Sequence, residues 1–185
     1  MEKSRVSRAM EKLLSDKWGS DLKMKFVVDG MLGKLARWLR MLGYDTKYFN
    51  DMDDDEILKV ASEEKRILLT RDYQFFRKAS IHGVKAIFID GETHAERLAE
   101  LSRELNVRLE INIDESRCPK CNSKIRPINK EEVRDKIPES TYKTYNEFWI
   151  CTRCGQVYWK GSHWRKINNT LDKAKRIILK MEKTH

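Results

Sequence analysis

Four cysteines, all of them in two CxxC pairs, constrain this chain more than any other feature. Cys118-Pro-Lys-Cys121 and Cys151-Thr-Arg-Cys154 are separated by 29 residues, 122 to 150, and no cysteine lies outside the pairs. Four thiolates in two close pairs suit tetrahedral zinc, each pair curling as a knuckle whose backbone amides point at the sulfurs. Gly155 allows the tight turn after the second pair. Two disulfides or four free thiols are the alternatives, and the CxxC spacing puts metal ahead of them. Four protein sulfurs leave no open coordination position, so this zinc is expected to be structural and the chemistry must lie elsewhere.

The chain has 185 residues, room for one ordinary domain and a small one. No apolar run approaches the roughly 20 residues of a membrane span. The N-terminus is charged from Glu2 onward and is not expected to be a signal peptide. Reduced thiols then point to the cytoplasm. The net charge of +9 is uneven: residues 1–25 carry +3, 26–114 carry −3 and 115–185 carry +9. A basic cysteine module draws polyanions, whereas an acidic middle draws cations.

Val6, Met10, Leu13, Leu14 and Trp18 share one face of an expected amphipathic helix over 4–18 that docks on the core or on a partner. Strands are then expected at Lys25–Asp29, Thr46–Phe49, Arg66–Thr70, Val84–Ile89 and near Arg108–Ile113, with helices between them. That alternation predicts an α/β unit over 25–114, a parallel sheet with helices on both faces. The cysteine module follows over 115–165, with short strands at Phe148–Ile150 and Gln156–Trp159 and a mobile excursion over 129–147. A basic helix is expected over 166–185.

Open parallel sheets bind ligands beyond the carboxyl ends of their strands. Asp29 and Asp72 sit at such ends, and the acidic run Asp53-Asp54-Asp55-Glu56 opens a helix near the same edge. Converging carboxylates hold magnesium or manganese, which favour oxygen ligands and assist in-line attack on a phosphodiester. Each aspartate is equally readable as a helix N-cap. Gly30-Met-Leu-Gly33-Lys34 lacks the length and the Ser or Thr of a phosphate loop.

Phe26-Val-Val-Asp-Gly-Met-Leu-Gly-Lys-Leu-Ala-Arg-Trp-Leu-Arg-Met-Leu-Gly-Tyr44 resembles the opening of the Mut7-C family, also called DUF82. Arg66-Ile-Leu-Leu-Thr-Arg-Asp72 is similar to its second signature. Arg117-Cys-Pro-Lys-Cys-Asn122, Cys154-Gly155 and Tyr158-Trp-Lys-Gly-Ser-His-Trp164 resemble its third. The resemblance covers residues 25 to about 165. It implies a PIN-like ribonuclease domain with a zinc ribbon, and an endoribonuclease that uses magnesium or manganese. Position by position, Asp29 resembles the first acidic ligand and Asp72 the third. The second falls in the run 53–56, Asp54 before Asp55. Many PIN-type sequences place another aspartate two residues after the third, where this chain has Gln74.

The expected partner is RNA, with tRNA, rRNA and the ribosome as candidates. Lys34, Arg37, Arg40 and Arg71 are placed to contact phosphates beside the carboxylates. Lys120, Lys124, Arg126, Arg153, Lys160, Arg165 and Lys166 supply a basic module surface, with His163 facing RNA. Tyr158, Trp159 and Trp164 either stack on unpaired bases or fill the module's core. Two other readings compete: a non-catalytic RNA- or ribosome-binding protein, and an adaptor whose terminal helices dock a protein partner.

Overall fold

The computed structural model describes residues 24–182. The helix expected over 4–18 lies outside the described residues. Four parallel strands, β1 (Lys25–Val28), β2 (Asp45–Tyr48), β3 (Ile67–Thr70) and β4 (Ala86–Phe88), form one sheet in the order β2-β1-β3-β4. Helices α1 (Gly33–Met41), α2 (Asp54–Glu63), α3 (Tyr73–Ile81) and α4 (His94–Leu105) connect and follow them. The α/β class expected from the sequence is the one observed.

Period-2 alternation splits the central strands between two cores. Phe26, Val28 and Leu69 face Leu35, Leu39, Leu98 and Leu101 of α1 and α4. Val27 and Leu68 face Ile57, Leu58, Phe75 and Ala79 of α2 and α3. β1 and β3 are therefore apolar at nearly every position, as strands buried on both faces must be. Two helices start with capping boxes, Asp53 with Glu56 and Thr93 with Glu96. Each box satisfies orphan amides at both ends of the first turn.

The second unit is an antiparallel sheet in the order β5-β6-β7, made of β5 (Ile125–Ile128), β6 (Phe148–Cys151) and β7 (Val157–Tyr158). Its core is small: Ile128, Val133, Phe148 and Val157. β5 was not expected, and Pro127 within it fits the edge position that β5 occupies. The expected mobile stretch 129–147 instead forms a 3₁₀ segment (Lys130–Lys136) and helix α5 (Glu139–Thr144), anchored by the fully buried Val133.

The strand expected near Arg108–Ile113 does not form. Its alternating Val107 and Leu109 pack into the first core without pairing to β4, and the Arg108 N–H donates to the Tyr44 hydroxyl at 3.0 Å. The last helix, α6 (Ser162–Glu182), packs along α4 and buries Leu171 and Ala174 in the first core. It starts four residues before the expected boundary and joins the sheet unit.

A polar joint locks the knuckle onto the sheet. Arg40 is 7% exposed and donates through Nε to the Thr46 carbonyl and through Nη1 to the Pro119 carbonyl, both at 2.9 Å. Asn122 accepts from the Thr46 N–H at 3.0 Å and donates to Asp45 Oδ1 at 2.9 Å. Asp45 also pairs with Arg66, whose side chain is 5% exposed, at 2.8 Å. Burial pushes the Asp45 carboxyl up, but hydrogen bonds from Arg66 and Asn122 outweigh it and hold the group below the usual range. Glu64 is held low by hydrogen bonds from Lys47 and Arg66. Depressed carboxyls stabilise the fold above the ordinary carboxylate pKa and stop doing so as pH falls through their folded values. Stability should therefore drop below about pH 4. Asp45→Ala removes that acid-dependent contribution and leaves buried Arg66 with fewer partners. It should cost about 2–3 kcal/mol in a denaturant titration; an unchanged midpoint would mean that the joint contributes nothing.

Candidate functional site

β1 ends at Asp29, which is 7% exposed. Asp29 caps the 3₁₀ turn Gly30–Leu32, its Oδ1 accepting from the Met31 N–H at 3.0 Å. Its Oδ2 accepts from the hydroxyl of Thr70, the last residue of β3. The same Thr70 oxygen accepts from the Asp72 N–H at 2.9 Å. Asp72 in turn caps α3, its Oδ1 accepting from Gln74 N–H at 2.7 Å and Phe75 N–H at 3.0 Å. One fully buried hydroxyl therefore ties Asp29 to the backbone of Asp72. Sequence reasoning missed Thr70, although it opens the Thr-Arg-Asp string.

Asp54 is the first residue of α2. Partial burial pushes its carboxyl above the usual range, and the charges of Asp72, Asp55 and Asp29 add to the shift against the pull of Lys78. Asp55 instead makes an ion pair with Lys78 at 2.9 Å. Asp53 and Glu56 are taken up by the cap. Thr70 thus joins Asp29 to Asp72 at one edge, Asp54 feels the charges of both, and Asp55 turns to a lysine. Gln74 is exposed and engages Asp72 through its backbone. Beside this edge Tyr73 is 57% exposed, its ring 5.7 Å from Phe88 and 6.1 Å from Phe76.

Lys34 and Arg37 are exposed on α1. Arg71 is half-buried and its Nη2 donates to the Asp90 carbonyl at 3.5 Å. Arg40 corrects the sequence reading: its guanidinium is turned inward to two carbonyls of the joint and cannot meet a phosphate. In the module, Lys120, Lys124, Arg126, Arg153, Lys160, His163, Arg165 and Lys166 are exposed. Lys160 also lies 3.6 Å from Glu147 and 5.3 Å from the centre of the Trp149 ring. Tyr158, Trp159 and Trp164 are half-buried.

The four cysteine sulfurs lie within 4.8 Å of one another, and this set can hold a metal ion. Cys118 and Cys154 are 3.7 Å apart and Cys121 and Cys151 are 3.4 Å apart. Zinc–sulfur bonds of about 2.3 Å in a tetrahedron require sulfur separations of roughly 3.8 Å, so the set fits zinc. Tyr158 hydrogen-bonds Cys118 Sγ at 3.0 Å, and the N–H groups of Arg153 and Cys154 donate to Cys151 Sγ at 3.4 Å. Such outer partners orient thiolates toward a metal. Among the described residues, no His, Cys, Asp or Glu group other than these cysteines is gathered to hold an ion.

A parallel α/β sheet with acidic strand ends is here joined to a four-cysteine module that can hold a metal ion. Residues 24–171 match the Mut7-C RNAse domain, and the chain belongs to that family. It is similar to the "Exonuclease mut-7 homolog" of Homo sapiens, 34% identical over 101 residues. That match covers 53% of this chain and 12% of the human protein, so the chain spans a small part of its relative. No solved structure matches the chain. Among the described residues, no helix is long and apolar enough to cross a membrane.

Proposed function

We propose that this protein is a metal-dependent endoribonuclease, with a zinc ribbon that supplies RNA affinity. What supports this reading is the link of Asp29 and Asp72 through Thr70 at the carboxyl end of a parallel sheet, with Asp54 near enough to feel both charges, in a chain of an RNAse domain family. Their mutual repulsion suits a site completed by a cation. Asp29 and Asp72 are held by caps and by Thr70, so their carboxylates need little reordering to bind one. A bound magnesium or manganese ion would lower the pKa of a water and neutralise charge on the scissile phosphate. Lys34 and Arg37 position neighbouring phosphates, and Arg71, tied to the Asp90 carbonyl, shapes the rim. Tyr73, backed by Phe76 and Phe88, offers a face to a base beside the cut.

The cysteines hold zinc as a structural ion with no open position. Exposed Lys120, Arg153, Lys160, His163 and Arg165 give the ribbon its attraction for RNA, which should weaken steeply with salt. A second reading, an RNA-binding protein without catalysis, draws on the engagement of both Asp29 oxygens in local hydrogen bonds. The test is incubation with single-stranded and structured RNA, with and without manganese. Manganese-dependent internal cuts are expected. RNA that is bound and left intact would favour the second reading, and trimming from one end alone would replace the internal cut by an exonucleolytic one.

A further inference from the structure

Between the sheet unit and the ribbon lies a cleft of about 750 Å³. Its lining combines Tyr145, Trp149, Trp159 and Trp164 with Ile111 and Ile113 of the connector. The aromatic walls are held in place. Trp149 is buried beneath Lys160, and Trp159 packs on the ribbon core. Gly161 sits so close to Trp159 that a Cβ there would come within 2.7 Å of the indole nitrogen. Trp164 is half-buried, leaving part of its ring open. Lys160, Arg165 and Lys166, all exposed, flank these rings in sequence, and His163 lines the cleft itself. The carboxylates stand elsewhere: α1 begins beside Asp29 and ends at Met41 in the cleft wall.

We infer that this cleft is a binding site for an unpaired base of RNA. Its size falls in the range of about 300–1,000 Å³ typical of sites that enclose a small organic group, mostly apolar with a few polar positions. A nucleobase is a flat heterocycle whose faces stack on aromatic rings and whose edge needs hydrogen-bond partners. Gln156, Ser162 and His163 offer such partners among the rings. The base's phosphates would stay outside, where the two lysines and the arginine lie. Residues 115–185 carry a net charge of +9, which favours a polyanion over an apolar peptide as the occupant. Bases paired within a duplex are already stacked and cannot enter. This inference rests on the RNA-binding half of the proposed function and not on cleavage.

The experiment uses the full-length, zinc-loaded protein without added magnesium or manganese. A short single-stranded RNA carrying one 2-aminopurine is titrated in, beside the same strand annealed to its complement. Stacking in the cleft is expected to quench 2-aminopurine in the single strand and not in the duplex. Trp164→Ala should lower single-strand affinity about tenfold, leave duplex affinity unchanged and be rescued by Trp164→Phe. Equal losses for both RNAs would make Trp164 a packing residue and overturn the inference. So would unchanged RNA binding with a lower melting temperature, which would give the cleft to an apolar protein segment, residues 1–23 of this chain included. Failure to bind either RNA would instead remove the RNA-binding reading beneath it.

Discussion

Stripping the metal with a strong chelator, or replacing Cys118 by Ser, is expected to unfold the ribbon over residues 117–159. The protein core available to hold it without metal is four buried side chains, Ile128, Val133, Phe148 and Val157. A module so small ordinarily requires a metal or disulfides. Structural zinc contributes on the order of 10 kcal/mol in comparable folds, far more than these side chains supply. Cys118 is fully buried and hydrogen-bonded to Tyr158, so Ser in its place loses a ligand and disturbs a packed ring. The measurement is zinc per chain together with protease sensitivity: one zinc and a resistant ribbon in the parent, neither in the variant. A Cys118→Ser protein that kept both would rule out the four-sulfur site. The sheet unit should survive, because its two cores lie outside the ribbon. It would lose the Pro119 carbonyl that holds Arg40, and with it some stability at the joint.

Asp29→Asn and Asp72→Asn should each lower manganese-dependent cleavage by at least about 100-fold, since a metal supplies several kcal/mol of transition-state stabilisation and each factor of ten is about 1.4 kcal/mol. Affinity for RNA should hardly change, because the lysines and arginines are untouched. Equal losses of cleavage and affinity would point to a folding defect. Asp54→Asn should be as damaging to cleavage as Asp72→Asn, whereas Asp55→Asn should mainly release Lys78. Stability moves the other way at Asp54. A carboxyl held above its ordinary pKa favours the fold only while protonated, and that contribution is lost as pH rises through its raised value. At neutral pH without metal, Asp54→Asn should therefore melt no lower than the parent.

The elements that could be read from the chain were those whose pattern has one physical explanation. Lys25–Val28 and Ile67–Thr70 are apolar because they are buried on both faces, and they form strands where the pattern places them. The paired CxxC spacing reports sulfur proximity directly. The β2 register slipped by one residue, since Asp45-Thr-Lys-Tyr carries a mixed edge pattern and its first residue is set by Asn122 and Arg66, far along the chain. Val107, Leu109, Ile111 and Ile113 alternate like a strand, yet alternation says only that one side is buried. Here Val107 and Leu109 turn to the helices of the first core, and no pairing to β4 is made. Arg40 looked like its exposed neighbour Arg37, because the carbonyl that captures it belongs to Pro119, 79 residues away. At the site, Asp29 and Asp72 were legible as strand ends. The ion pair of Asp55 with Lys78 is one that no local pattern contains.

Helix α1 separates the aspartates from the aromatic cleft by the length of one rigid rod. Its nine residues rise about 13 Å. On the proposed reading, an RNA held at both ends would span that rod, so the distance from anchored base to cut would be set by a helix and not by a loop. Because α1 buries Leu35, Ala36, Leu39 and Arg40 in the core and the joint, that spacing cannot stretch without disturbing the fold, and fragments cut beside an anchored base should keep one length.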